Sequence, residues 1–84
     1  MAKVVVYTKG NCPYCRMAKE LLNAKQVAYE EIHIDQDETK LNEMIQRSNR
    51  RTVPQIFINE QPIGGYDDLA ALAKSGKLDG LLSS

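Results

Sequence analysis

Two cysteines separated by two residues are the side chains of this 84-residue chain best suited to redox chemistry. They are Cys12 and Cys15, in the segment Cys12-Pro13-Tyr14-Cys15. A thiolate attacks a disulfide sulfur to form a mixed disulfide, and a second nearby thiol can then displace the bound partner. The spacing is therefore typical of a thiol–disulfide exchange site.

Two other uses of the pair are weaker. A structural disulfide that closes so short a loop would add only roughly 2 kcal/mol of stability in the loop-entropy model. A zinc site usually needs four ligands, and the chain offers only two cysteines and His33. His33 lies between Ile32 and Ile34 on a predicted strand, where an exposed histidine is the better interpretation. We therefore favour a redox pair and expect no bound metal.

The local sequence predicts that Cys12 caps a helix and that Cys15 lies inside it. Lys3 to Thr8, with three consecutive valines, is typical of a buried strand, and Pro13 suits the first turn of a following helix. Free N–H groups and the helix dipole favour a thiolate there, with pKa values of roughly 3.5–7.5 rather than about 8.5. Cys12 is thus the predicted attacking sulfur, and Cys15, more thiol-like, the resolving one. Two basic residues nearby favour the thiolate as well: Lys9 and Arg16.

Helix and strand patterns alternate along the rest of the chain. The first helix ends near Asn23 to Lys25, and a second is capped near Asp37 or Thr39. Between them lies a strand with a predicted register change near Glu30-Glu31, which separates two apolar pairs, Val27 with Tyr29 and Ile32 with Ile34. The later predicted elements are a strand within Pro54 to Asn59, a hairpin partner at Gln61 to Ile63, a helix that stops at Gly76, and a last helical turn at Leu78, Leu81 and Leu82.

This order, βαβαββα, predicts an α/β fold. The first βαβ unit should place two strands in parallel through a right-handed crossover, whereas the final hairpin must be antiparallel. A mixed four-stranded sheet with helices on both faces follows. Residues 1–84 are too few for a second core, so we expect a single domain.

Composition excludes several classes of function. Eleven basic and eleven acidic residues give a net charge of zero, whereas proteins that bind nucleic acid through phosphates are normally basic. No apolar run approaches the roughly 20 residues of a membrane span, and the apolar stretch near the start is too short for a signal peptide. We expect a cytoplasmic protein that binds neither nucleic acid nor membrane, with monomer as the default state.

Three motifs together resemble the glutaredoxin family, specifically its small bacterial dithiol members. They are Cys12-Pro13-Tyr14-Cys15, Thr52-Val53-Pro54 and Gly64-Gly65-Tyr66-Asp67-Asp68, and the resemblance covers essentially the whole chain. A Cys-x-x-Cys pair near a βαβ unit also points to the thioredoxin-like class, but the chain has no tryptophan and lacks the Cys-Gly-Pro-Cys of thioredoxins. The resemblance implies a thioredoxin-like fold and a glutathione-dependent disulfide oxidoreductase.

The resemblance also implies a glutathione site. Its Val53–Pro54 bond should be cis and should turn the Val53 backbone toward Cys12. Helix N–H groups of Tyr66 and Asp67 would hold the γ-glutamyl carboxylate, and the Asp67 side chain its ammonium. The glycyl carboxylate would meet Lys9 and Thr52, with Arg50 and Arg51 as weaker candidates. The full set of implied binding residues is Lys9, Tyr14, Thr52, Val53, Pro54, Gly65, Tyr66 and Asp67, and a polar contact from the second helix is in doubt because Leu41 stands there.

The implied reaction begins with attack of Cys12 on a protein–glutathione mixed disulfide, and Cys15 adds a route to protein disulfides. Glutathione is then the reductant and co-substrate, and the partners are glutathionylated or disulfide-containing proteins, with ribonucleotide reductase one candidate by analogy. Two alternatives stay open. Two protomers could hold a [2Fe–2S] cluster through Cys12 and bound glutathione, or a thioredoxin reductase could reduce the protein.

Overall fold

The computed structural model describes residues 2–83. Its elements follow the predicted order, and the last predicted turn forms a short separate helix. In chain order they are β1 (Val4–Thr8), α1 (Pro13–Ala24), β2 (Glu30–His33), α2 (Glu38–Ser48), β3 (Gln55–Ile58), β4 (Gln61–Gly64), α3 (Tyr66–Ser75) and α4 (Lys77–Leu82). Among residues 2–83, no helix is long and apolar enough to cross a membrane.

The four strands form one mixed sheet in the order β2-β1-β3-β4. Strands β1 and β2 are parallel, and α1 makes the crossover between them. The pairs β1–β3 and β3–β4 are antiparallel, so the predicted mixed sheet is confirmed. Because β1 and β3 are antiparallel neighbours, the end of β1 lies beside the start of β3, and the cysteine segment follows directly from there.

The predicted register change in β2 is wrong. The pairing with β1 runs without interruption from Val5 opposite Glu30 to Thr8 opposite His33. Val27 and Tyr29 pack on one face of the sheet, whereas Ile32 and Ile34 pack on the other. Simple alternation explains both pairs, because successive side chains in extended backbone point to opposite faces and both faces of this sheet are covered.

Helices cover both faces of the sheet, as predicted. On one face, Val4, Val6, Ile56 and Ile58 pack against side chains of α1, α3 and α4, including Leu22, Leu69 and Leu78. On the other face, Val5, Tyr7 and Phe57 pack against Met44 of α2. Leu41 and Val53 border this second cluster, so Leu41 contributes packing on α2.

Side chains and left-handed residues fix the helix ends. Asp37 caps α2 by accepting a hydrogen bond from the Lys40 N–H at 3.2 Å, which decides between the two predicted caps. Gly76 ends α3 with a φ of 82°, a conformation that glycine adopts at little cost. α4 begins directly after it.

A polar cluster of Tyr7, Glu43 and Arg47 connects α2 to the sheet. The buried Tyr7 hydroxyl bonds to Glu43, and Arg47 donates a hydrogen bond to the same hydroxyl at 2.8 Å. The Arg47 guanidinium also lies 4.4 Å from the ring centroid of Phe57. Burial raises the pKa of Tyr7, and the Glu43 hydrogen bond raises it further, so the phenol stays protonated at neutral pH. The cluster serves packing and lies apart from the cysteines.

Candidate active site

The two cysteines lie where β1 hands over to α1, as the sequence predicts. Cys12 is the N-cap of α1, with extended backbone, and its Sγ accepts a hydrogen bond from the Cys15 N–H at 3.1 Å. Pro13 occupies the first helical position, where its missing N–H leaves no bond unmade. Cys12 is half-buried whereas Cys15 is 2% exposed, and the two are joined as a disulfide. Only Cys12 is therefore open to a partner in solution.

The segment before β3 faces this sulfur. The Val53–Pro54 peptide bond is cis, as expected, and Pro54 is buried. The Val53 carbonyl oxygen lies 3.9 Å from Cys12 Sγ. A backbone carbonyl beside the reactive sulfur can accept a hydrogen bond from the backbone of an incoming peptide, as in strand addition.

Two clefts open on either side of Val53. The first, of about 280 Å³, is lined by seven of the eight predicted binding residues, together with Arg50 and Asp68. The Tyr14 and Tyr66 rings stand at its mouth with centroids 6.2 Å apart, and Tyr14 is 57% exposed. The seven residues are Tyr14, Thr52, Val53, Pro54, Gly65, Tyr66 and Asp67.

The second cleft, of about 420 Å³, contains the eighth predicted residue, Lys9, together with Cys12 and Arg51. Thr52 and Val53 line both clefts, and the two clefts together are called the groove here; Cys12 lines the second of them. Lys9 and Arg51 line the second cleft, whereas the N-terminus of α3 and Arg50 line the first. Arg16, which is exposed on α1, lines neither cleft.

A family model of glutaredoxins matches residues 4–63 of the chain. The chain belongs to the glutaredoxin family. Glutaredoxin 3 of Escherichia coli strain K12 is 57% identical over 82 residues, which cover 98% of this chain and 99% of that protein. Family membership makes this protein a glutathione-dependent thiol–disulfide oxidoreductase, as the three motifs predicted.

Solved glutaredoxin structures share the fold. A solution structure of the glutaredoxin from Brucella melitensis has a TM-score of 0.86 and 48% identity, covering 98% of this chain and 89% of that one. A crystal structure of a buckwheat glutaredoxin in complex with glutathione has a TM-score of 0.89 and 32% identity, covering 98% of this chain and 77% of that one. These similarities confirm the predicted thioredoxin-like architecture.

The structure separates the two arginines that the sequence left together. Arg51 lies in the cleft with Lys9. Arg50 lies instead in the other cleft, where its Nη1 is 3.0 Å from Oδ2 of Asp68. Consecutive residues in an irregular segment point in different directions, which the sequence does not specify.

Asp68 joins the segment before β3 to the start of α3. Its Oδ2 accepts hydrogen bonds from Arg50 Nη1 and from the Gly65 N–H, both at 3.0 Å. The Arg50 hydrogen bond, followed by that of Gly65, lowers the pKa of the Asp68 carboxyl below its usual value. Asp68 thus stabilises the start of α3 from its third position by bonding the backbone of the N-cap Gly65. Asp67 and Asp68 both line the first cleft.

Replacing Arg50 by methionine tests this pair through the pH dependence of stability. A carboxyl with a lowered folded-state pKa adds stability above its unfolded pKa, and that stability is lost as pH falls through the folded pKa. We expect Arg50→Met to lower the free energy of unfolding near neutral pH by less than about 1 kcal/mol, because water screens a half-exposed pair. The difference from wild type should shrink below about pH 4.

Urea denaturation at several pH values measures this difference. Arg51→Met is the matched control, since it removes an equal charge without touching the Arg50–Asp68 pair, and its effect should not change over the acid range. A difference for Arg50→Met that stays constant from about pH 6 to about pH 3 would contradict the assignment of the pair.

A zinc site would have to use His33, which is the one histidine of the sequence. His33 is exposed, and its Nε2 lies 3.5 Å from Oε2 of Glu31. In the part of the chain from residue 2 to residue 83, no group of three or more His, Cys, Asp or Glu side chains is arranged to hold a metal ion.

Proposed function

We propose that Cys12 is the nucleophile of this glutaredoxin and that the groove beside it binds the glutathione part of the substrate. The observation that carries the proposal is the position of Cys12 Sγ at the start of α1, beside the Val53 carbonyl and in the cleft that shares Thr52 and Val53 with the first cleft. The Cys15 N–H that bonds this sulfur would stabilise its thiolate in the reduced protein.

The two ends of the groove suit the two ends of glutathione. The N-terminus of α3 offers N–H groups of Tyr66 and Asp67 to the γ-glutamyl carboxylate, and the exposed Asp67 side chain can take its ammonium group. Lys9, Arg51 and the Thr52 hydroxyl would bind the glycyl carboxylate. The buckwheat glutaredoxin with bound glutathione, which shares this fold, supports the assignment. The central part of glutathione would contact the other lining residues of the first cleft: Tyr14, Val53, Pro54 and Gly65.

The reaction begins when the Cys12 thiolate attacks the glutathione sulfur of a protein–glutathione mixed disulfide. A Cys12–glutathione disulfide forms, and the protein sulfur leaves as a thiolate that takes a proton from water. A second glutathione thiolate then attacks the glutathione sulfur on Cys12. Oxidised glutathione leaves, and the Cys12 thiolate is restored.

Cys15 supplies a second route. Its thiolate attacks the Cys12 sulfur of a mixed disulfide, which releases the bound partner as a thiol and forms the Cys12–Cys15 disulfide. Two glutathione molecules then reduce this disulfide. The first attacks the Cys12 sulfur and releases the Cys15 thiol, and the second attacks the glutathione sulfur on Cys12, which releases oxidised glutathione. The disulfide that joins the two residues is the product this route requires.

The protein partners proposed are glutathionylated proteins and proteins with accessible disulfides, with ribonucleotide reductase as one candidate. We propose a monomer as the default state. The cytoplasm is the proposed location, because glutaredoxin potentials of roughly −200 to −230 mV lie close to that of its glutathione pool.

Turnover with two reductants tests the function. The oxidised protein is offered either glutathione with glutathione reductase, or thioredoxin reductase, and reduction of a glutathionylated peptide is followed through NADPH consumption. We expect turnover with glutathione and at least about tenfold less with thioredoxin reductase. Turnover with thioredoxin reductase alone would reject the glutathione groove.

A further inference from the structure

The side chain of Gln55, to which sequence analysis gave no role, supports one wall of the groove. Gln55 is the first residue of β3, lies opposite Tyr7 in the sheet and is 1% exposed. Its Nε2 donates a hydrogen bond to the Thr52 carbonyl oxygen at 2.9 Å and another to the Thr52 Oγ1 at 3.2 Å. Both bonds reach back to the residue that lines both clefts.

The oxygen of the same amide is buried, and burying it lowers the stability of the folded state. Gln55 Oε1 has no hydrogen-bond partner among residues 2–83. A buried oxygen without a partner destabilises the folded state, whereas a methionine of similar length would fill the same space without that loss. The two hydrogen bonds from Nε2 offset part of this loss, and the donors that they supply are what distinguishes glutamine from methionine at this position.

The contact with the Thr52 carbonyl fixes which end of the amide faces Thr52. Rotating the amide by half a turn would bring Oε1 to 2.9 Å from that carbonyl oxygen, and two acceptors repel. The Nε2 group therefore donates to both Thr52 atoms. A hydroxyl has one hydrogen, so a Thr52 hydroxyl oxygen that accepts from Gln55 keeps its own hydrogen for a different acceptor.

We propose that Gln55 is a positioning residue that holds Thr52 so that its hydroxyl donates a hydrogen bond to a carboxylate of the ligand in the groove. Thr52 is exposed, and Lys9 and Arg51 line the same cleft, so an anion there would meet two cations and this oriented donor. A donor that is already aimed at the anion loses little rotational freedom when the ligand binds. This inference rests on the proposed glutathione groove.

Gln55→Met tests the role. We expect KM for a glutathionylated peptide to rise about five- to tenfold, while kcat stays within about twofold, because only ligand binding loses a contact. The urea midpoint of the variant should stay close to that of wild type, because the loss of two hydrogen bonds is offset by the removal of an unpaired buried oxygen. Gln61→Met is the matched control, since Gln61 is exposed at the far end of β4 from Gly65, and its kinetics should match wild type.

A double-mutant cycle with Thr52→Val separates positioning from packing. If Gln55 acts through the Thr52 hydroxyl, Gln55→Met should change KM by less than about twofold in the Thr52→Val background. Additive effects of the two substitutions would overturn the proposal, and so would a wild-type KM for Gln55→Met. A wild-type protein that shows no turnover with glutathione would reject the proposed function instead.

Gln55→Glu provides a second variant of unchanged shape. When ionised, its carboxylate accepts hydrogen bonds and cannot donate to either Thr52 atom, so KM measured at the alkaline end of the assay range should rise at least as much as in Gln55→Met. If both variants unfold, the amide is required for folding itself, and the positioning role is overturned.

Discussion

The Cys12→Ser variant is expected to lose deglutathionylation activity by a factor on the order of 10³ or more, because its hydroxyl is a far weaker nucleophile than a thiolate at neutral pH. The N–H of Cys15, which bonds Cys12 Sγ at 3.1 Å, stabilises a charge that a serine hydroxyl does not carry. Reduction of a glutathionylated peptide, followed with glutathione and glutathione reductase, measures the loss. Full activity in this variant would refute the assignment of the nucleophile.

Cys15→Ser is the matched control for this result. Cys15 is buried and takes no part in the proposed route in which glutathione directly attacks the Cys12–glutathione disulfide. The variant is therefore expected to keep deglutathionylation within about tenfold of wild type and to lose reduction of a protein disulfide, which needs the second thiol. Equal loss of both activities in the two variants would mean that the cysteines do not divide the reaction as proposed.

Gly64→Ala is expected to lower the free energy of unfolding by about 3 kcal/mol, from two effects that add. Gly64 has a φ of +117°, which L residues rarely adopt. A Cβ there would also collide with the Asp68 carboxylate, coming 2.7 Å from its Cγ. Asp68 would have to leave the Gly65 N–H and Arg50, so KM for glutathionylated substrate should rise too.

Urea denaturation of Gly64→Ala and Gly80→Ala makes the comparison. Gly80 lies in α4, and a Cβ there would meet no atom of residues 2–83 within 4 Å. Alanine in a helix is favoured over glycine, so Gly80→Ala should raise the free energy of unfolding by roughly 0.5–1 kcal/mol. If the two substitutions changed the free energy of unfolding equally, neither the positive φ of Gly64 nor its closeness to Asp68 would restrict the residue at position 64.

The sequence alone determined the chemistry and the order of the elements. Cys12 and Cys15 are close in the chain, so the cap, the first turn and their different exposures follow from local rules that three or four residues satisfy. Strands β1 and β3 could likewise be predicted, since each contains an apolar run bounded by polar or turn-forming residues. The three motifs then predicted the family that residues 4–63 match.

The tertiary structure decided how distant segments meet. It placed Arg51 with Lys9 and Arg50 with Asp68. The direction of each side chain in the segment before β3 depends on local backbone turns, and two neighbouring arginines in a sequence give no information about those turns. The tertiary structure also replaced the expected register change in β2 by simple alternation between two covered faces. The amide of Gln55 gained its role in the same way, since hydrogen bonds to Thr52 form only when β3 is buried in the sheet and the chain before it turns back over that strand.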